Sequence, residues 1–141
     1  MNLPIDHRNE FFDVIGKLHA SAEVFRMEEE PREKPELCAL VSVAGTNFRI
    51  IHMNPLSTHI EVEADFGIVP YADPHEALLQ LLEMNALFIR GEMCGFGIDA
   101  QANTIFYREV YNLVDPEHRV LSTELLRIAA HAESWLQRQF S

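Results

Sequence analysis

Between Asp73 and Phe88 the chain spells a helix with almost no polar face. Asp73-Pro74-His75-Glu76 is a strong helix start. An aspartate at the cap accepts from the free N–H groups of the first turn, proline needs no N–H at the first helical position, and a glutamate three residues past the cap completes a capping box. The residues that follow, Ala77, Leu78, Leu79, Leu81, Leu82, Met84, Ala86, Leu87 and Phe88, ring the helix with apolar side chains. Such a helix has to be covered on every side. The chain has 141 residues, enough for one domain with its own core. A domain that small covers one side of a helix well. The other side then asks for a partner, and a second copy of the same chain is the commonest one. The competing expectation is a central core helix buried within the monomer.

The segments around this helix predict strands. His59 to Val69 alternates strictly: Ile60, Val62, Ala64, Phe66 and Ile68 fall on one side, His59, Glu61, Glu63 and Asp65 on the other. Leu37 to Val43 and Thr46 to Met53 are two further strands joined by a tight turn at Gly45, and the short connections predict an antiparallel meander. After the helix, Glu92 to Asp99 and Asn103 to Leu113 are a second strand pair. In the latter, Ile105, Tyr107, Tyr111 and Leu113 share one face and Phe106, Arg108 and Val110 the other, so both faces are expected to meet protein.

Helices flank the set. Phe11, Phe12, Ile15, Leu18, Ala22 and Phe25 recur at helical spacing from Arg8 to Phe25. Leu121, Leu125, Ile128, Ala129, Ala132, Trp135 and Leu136 do so at the other end, with Asp115-Pro116 or Ser122 as its start. Met27 to Glu36, with five glutamates and two prolines, reads as an exposed loop. The expected order is α-β-β-β-α-β-β-α: one α+β domain over residues 1–141, a twisted antiparallel sheet packed with three helices.

Charge narrows the partners. Twenty-two acidic residues face 11 Lys and Arg, a formal net charge of −11. Binding to phosphate backbones starts from Lys and Arg, so nucleic acid and anionic membranes are disfavoured, and a basic or apolar partner is favoured. No apolar run approaches the roughly 20 residues of a membrane span. Met1 to Asp6 has neither a basic nor an apolar leader segment, so no secretory signal is expected. Cys38 and Cys94 are far apart and suit free thiols in a reducing compartment.

Candidate chemistry is thin. Seven histidines include no H-E-x-x-H and no helical i, i+4 pair; His52 and His59 are expected to face each other across a hairpin, short of a metal's ligand set. Glu61 and Glu63 sit on a regularly polar face, where paired carboxylates are solvated rather than tuned for acid–base work. Gly95-Phe96-Gly97 precedes a strand, whereas a dinucleotide site needs its glycines between strand and helix. Neither cysteine has an adjacent base. A non-enzymatic binding module without cofactor or metal is the expectation; a small enzyme with a scattered site, using His52 or Glu61, is the alternative.

The stretch from Glu76 to Phe88, then Gly95-Phe96-Gly97-Ile98-Asp99, then Asn103 to Leu113, with the Ala-rich final helix carrying Trp135, resembles class I chaperones of bacterial type III secretion, the CesT/Tir-type family. The resemblance implies a homodimeric protein of the bacterial cytoplasm that binds the N-terminal region of a secreted effector and keeps it export-competent. It implies a dimer helix using Leu78, Leu81, Leu82, Asn85 and Phe88. It also implies β-augmentation with shallow pockets, for which Phe12, Leu40, Ile51, Met53, Phe106 and Val110 are the candidates. A same-fold binding or regulatory protein outside secretion stays open beside it.

Overall fold

The structure, a computed structural model, describes residues 6–20, 24–29, 36–70, 73–88, 94–114 and 121–140, with the side chains of 24–29, 86–88 and 140 left aside. Its elements run α1 (Arg8–His19), β1 (Val24–Glu29), β2 (Leu37–Val43), β3 (Thr46–His52), β4 (His59–Ile68), α2 (Pro74–Phe88), β5 (Cys94–Asp99), β6 (Thr104–Asn112) and α3 (Leu121–Phe140). All strand pairs are antiparallel, in one six-stranded sheet of order β1-β2-β3-β4-β6-β5. This is the expected α+β architecture, with one more strand than the sequence suggested.

The extra strand corrects two expectations. The first helix stops at His19 instead of running to Phe25, and Val24–Glu29 pairs with β2 where an exposed loop was expected. Phe25 continues the helical spacing by coincidence, since β2 offers backbone groups that β1 satisfies, and Ala22 lies outside the described residues. β1 is an edge strand of the sheet. The proline-bearing rest of that segment, 30–35, lies outside the described residues.

Alternation builds the core. The inner face of the sheet carries Leu37, Ala39, Val41, Val43, Phe48, Ile50, Ile60, Val62, Ala64, Phe66, Ile105, Tyr107 and Tyr111, all buried. Against it lies α3, which buries Leu121, Leu125, Ile128, Ala129, Ala132 and Trp135. Because α3 begins at Leu121, Ser122 lies inside the first turn rather than at the cap. Helix α1 covers the same face with Phe11, Val14, Ile15 and Leu18; Phe11 stacks on His52 at 5.3 Å. The Nε2 of His52 bonds the Ser57 carbonyl at 2.8 Å.

Helix α2 starts as its sequence dictates: the Glu76 N–H donates to Asp73 Oδ1 at 3.0 Å. It packs against β5. The β2–β3 connection is a two-residue turn, Val43 opposite Thr46, with Ala44 at φ +49° and Gly45 at +82°. That primed turn matches the strand twist but puts an alanine in the left-handed region, where its Cβ costs roughly 1 kcal/mol. Ala44→Asn is therefore expected to stabilise the fold by up to about 1 kcal/mol, measured as a raised denaturation midpoint at unchanged m-value. An unchanged or lowered midpoint would contradict the turn assignment.

Candidate functional site

The helices α1 and α3 occupy the inner face; the outer face is the side of the sheet that alternation turns away from them. Its residues follow from register: Leu40 opposite Arg49, Arg49 opposite Glu63, Glu63 opposite Arg108, and, one row over, Cys38, Ile51, Glu61 and Val110. Such a face would be polar throughout if only water met it. Here it is mixed. Leu40 is 38% exposed, Phe106 and Val110 are half-buried, and Cys38 and Ile51 are buried.

The charged groups on it are organised. Glu63 is gripped by Arg108 at 2.6 Å and Arg49 at 3.5 Å, and Arg108 also reaches Glu61 at 3.9 Å. The Arg108 guanidinium lies 5.2 Å over the Phe106 ring. Phe106 in turn reaches over Gly97 of β5: a Cβ there would meet the tip of the ring at 2.5 Å, so glycine leaves the aromatic its place.

The face is concave. β4 bulges between Asp65 and Ile68, with Gly67 at φ +88° and the Gly67 N–H donating to Asp65 Oδ1 at 2.8 Å. The β5–β6 turn rises beside it, tied by Asp99 Oδ1, which accepts from the N–H groups of Gln101 (3.0 Å) and Ala102 (3.2 Å). Across the face lies a groove of about 490 Å³, with Leu40, Ser42 and Asn47 on one side, Glu63 and Asp65 of β4 in its floor, and Asp99, Thr104 and Phe106 on the other.

Of the residues singled out as cargo contacts, Leu40, Ile51, Phe106 and Val110 share this outer face, though Ile51 is buried in it. Met53 is exposed just past β3. Phe12 is elsewhere: it packs at the edge of the core beside Phe11, 5.9 Å away, because α1 lies over the inner face.

The α2 residues also divide. Ala77, Leu81 and Met84 are buried in the chain's own core, so Leu81, 4% exposed, is not on the open side. Leu78, Leu79 and Leu82 are 38%, 43% and 64% exposed and form that side. Asn85 is committed within the chain: its Oδ1 accepts the Phe96 N–H at 2.8 Å and so satisfies a backbone donor of edge strand β5. The Phe88 side chain lies outside the described residues.

The residues named for possible chemistry are held apart. His52 belongs to the inner face and His59 to the outer one, because their strands pair Ile51 with Glu61; they do not face each other. Among the described residues no three His, Cys, Asp or Glu side chains converge as a metal group, and no helix is long and apolar enough to cross a membrane.

One cluster escaped the sequence. Glu109 is a carboxylate on the inner face, 7% exposed. It accepts from the Tyr111 hydroxyl at 2.5 Å and from Arg127 of α3 at 3.0 Å, while Arg127 also holds Glu124 at 2.9 Å. Burial, then the bond to Glu109, pushes the Tyr111 hydroxyl far above the usual tyrosine value; burial and the Glu109 charge do the same for Tyr107. The cluster welds β6 to α3 and has no opening onto the groove.

No protein-family model matches the chain, and no curated protein matches it. Among solved structures, a chain in the crystal structure of the ExsC–ExsE complex is similar, with a TM-score of 0.52 at 16% identity over 99% of this chain and 97% of that one. At that identity the likeness is one of fold.

The raised hydroxyls carry a pH consequence. The unfolded chain ionises its tyrosines near pH 10, whereas folded Tyr107 and Tyr111 stay protonated beyond it. Their contribution to stability is thus complete below about pH 10 and drains away as the pH rises further. A Tyr71→Phe variant, which leaves these two of the three tyrosines, should show tyrosinate absorbance only as alkaline unfolding sets in. Ordinary titration of the folded protein near pH 10 would overturn their burial.

Proposed function

We propose that the chain is a chaperone of the class I type III secretion kind: a homodimer of the bacterial cytoplasm that holds the N-terminal segment of an effector in extended form for export. The observation that carries this reading is the sheet with one face sealed by helices and the other mixed, concave and open. Its support is threefold. The sequence resembles that family from Glu76 to Leu113, the fold is similar to a chain from a two-protein complex, and the net charge of −11 favours a basic or apolar partner.

Two surfaces divide the work. Leu78 and Leu82, joined by Leu79, form an apolar strip that a second copy would cover, with Phe88 continuing the same helix. Cargo takes the outer face through Leu40, Phe106 and Val110, and its backbone extends the sheet at a free edge. Asn85 already serves a β5 donor, so β1 is the edge we assign to it.

Co-expression with secreted proteins encoded nearby tests the reading: one of them should co-purify through its N-terminal segment, and a truncation lacking that segment should not. Failure to retain any of them would end the secretion reading. Separately, Leu82→Glu buries two charges per dimer against apolar side chains and should convert a light-scattering dimer to a folded monomer whose melting temperature no longer rises with protein concentration. A dimer that survives the change would place the interface elsewhere.

A further inference from the structure

Two carboxylates at the groove have no counter-charge among the described residues. Glu63 and Glu61 are neutralised by Arg49 and Arg108. Asp65 and Asp99 have no cation paired with either among the described residues; each directs Oδ1 to backbone N–H groups of its own turn. Both line the groove, two strands apart, with Phe106 and Thr104 of β6 between them. Two strand spacings and a two-residue offset along β6 put their backbones about 12 Å apart. The Phe106 ring, its tip over Gly97, is the apolar surface between them, and exposed Leu40 stands across the groove.

This pairing selects an occupant by charge. A cavity of about 490 Å³ is the size of a small-ligand pocket, which admits a few residues of an extended chain and no folded domain. A second copy of this chain is already assigned to the α2 strip and is too large for the cavity, and a phosphate backbone is repelled by its carboxylates. A peptide with basic side chains flanking an apolar one fits all three features. Its cations lie at Asp65 and Asp99 and its apolar side chain on Phe106, with Thr104 beside its backbone and Leu40, Ser42 and Asn47 facing the part that continues across the groove.

We infer that the outer-face groove reads a basic-apolar-basic segment of the bound protein, with Asp65 and Asp99 as its charge-selecting residues. The inference rests on the cargo-binding reading but not on secretion. The test uses the full chain and three short fluorescein-labelled synthetic peptides of one leucine-centred sequence flanked by lysines, serines or glutamates. By fluorescence anisotropy the lysine peptide should bind about tenfold tighter than the serine one, the glutamate one weakest, and added salt should erase the difference. The double variant Asp65→Asn, Asp99→Asn keeps both turn-capping oxygens. It should bring the lysine peptide down to the serine level while leaving the serine peptide and the melting temperature unchanged.

Equal binding of lysine and serine peptides, no binding of any of the three, or a double variant that still prefers lysine would each overturn the inference. Selective lysine-peptide binding in a protein that retains no secreted partner would keep the groove and remove only the secretion reading.

Discussion

Everything in this fold hangs on β4. It is the strand hydrogen-bonded to β3 on one side and β6 on the other, and its alternation is unbroken from His59 to Asp65. A slip of one residue in its register would carry Ile60, Val62 and Ala64 out of the core and drive Glu61 and Glu63 into it. The same strand therefore sets both the packing surface for α3 and the row of charges on the opposite side. Core and candidate site are two faces of a single hydrogen-bonding pattern.

The inner face tolerates one carboxylate, Glu109, because α3 brings Arg127 to it and Tyr111 donates from the same strand. Breaking one member of such a cluster leaves a charge buried and unmatched, which costs far more than the intact cluster contributes. The helix and the sheet are thus locked in one relative position. The outer face has no comparable lock: its arginines and glutamates are partly wet and screened, so they shape recognition more than stability.

Local periodicity made most of this legible in advance. The alternation of β4, the Asp73 cap and the β5–β6 pair were plain in the sequence because each depends on neighbours a few residues away. The placement of His52 was also available: it shares parity with Phe48 and Ile50, which puts it inside and separates it from His59. What escaped depends on distant chain. β1 exists because β2 has unsatisfied backbone groups, and its glutamates disguised it. Glu109 looks like a surface residue until an arginine 18 positions away closes on it. Asn85 carried no sign of its bond within the chain, because the N–H of Phe96 that it accepts comes from a strand 11 residues on. On α2, composition announced that a side was left over but not which one; the burial of Ala77, Leu81 and Met84 decides that it is Leu78, Leu79 and Leu82.

Gly67 has a further consequence. With φ at +88° and Leu136 only 3.2 Å from where a Cβ would stand, the bulge is imposed by backbone conformation and by α3 behind it. The hollow beside Asp65 therefore exists before anything enters it. An arriving peptide loses its own freedom on binding, but the host surrenders little, because its curvature was settled when it folded. Recognition by such a surface is expected to be fast and tolerant of backbone sequence, with discrimination left to the few side chains that meet charge.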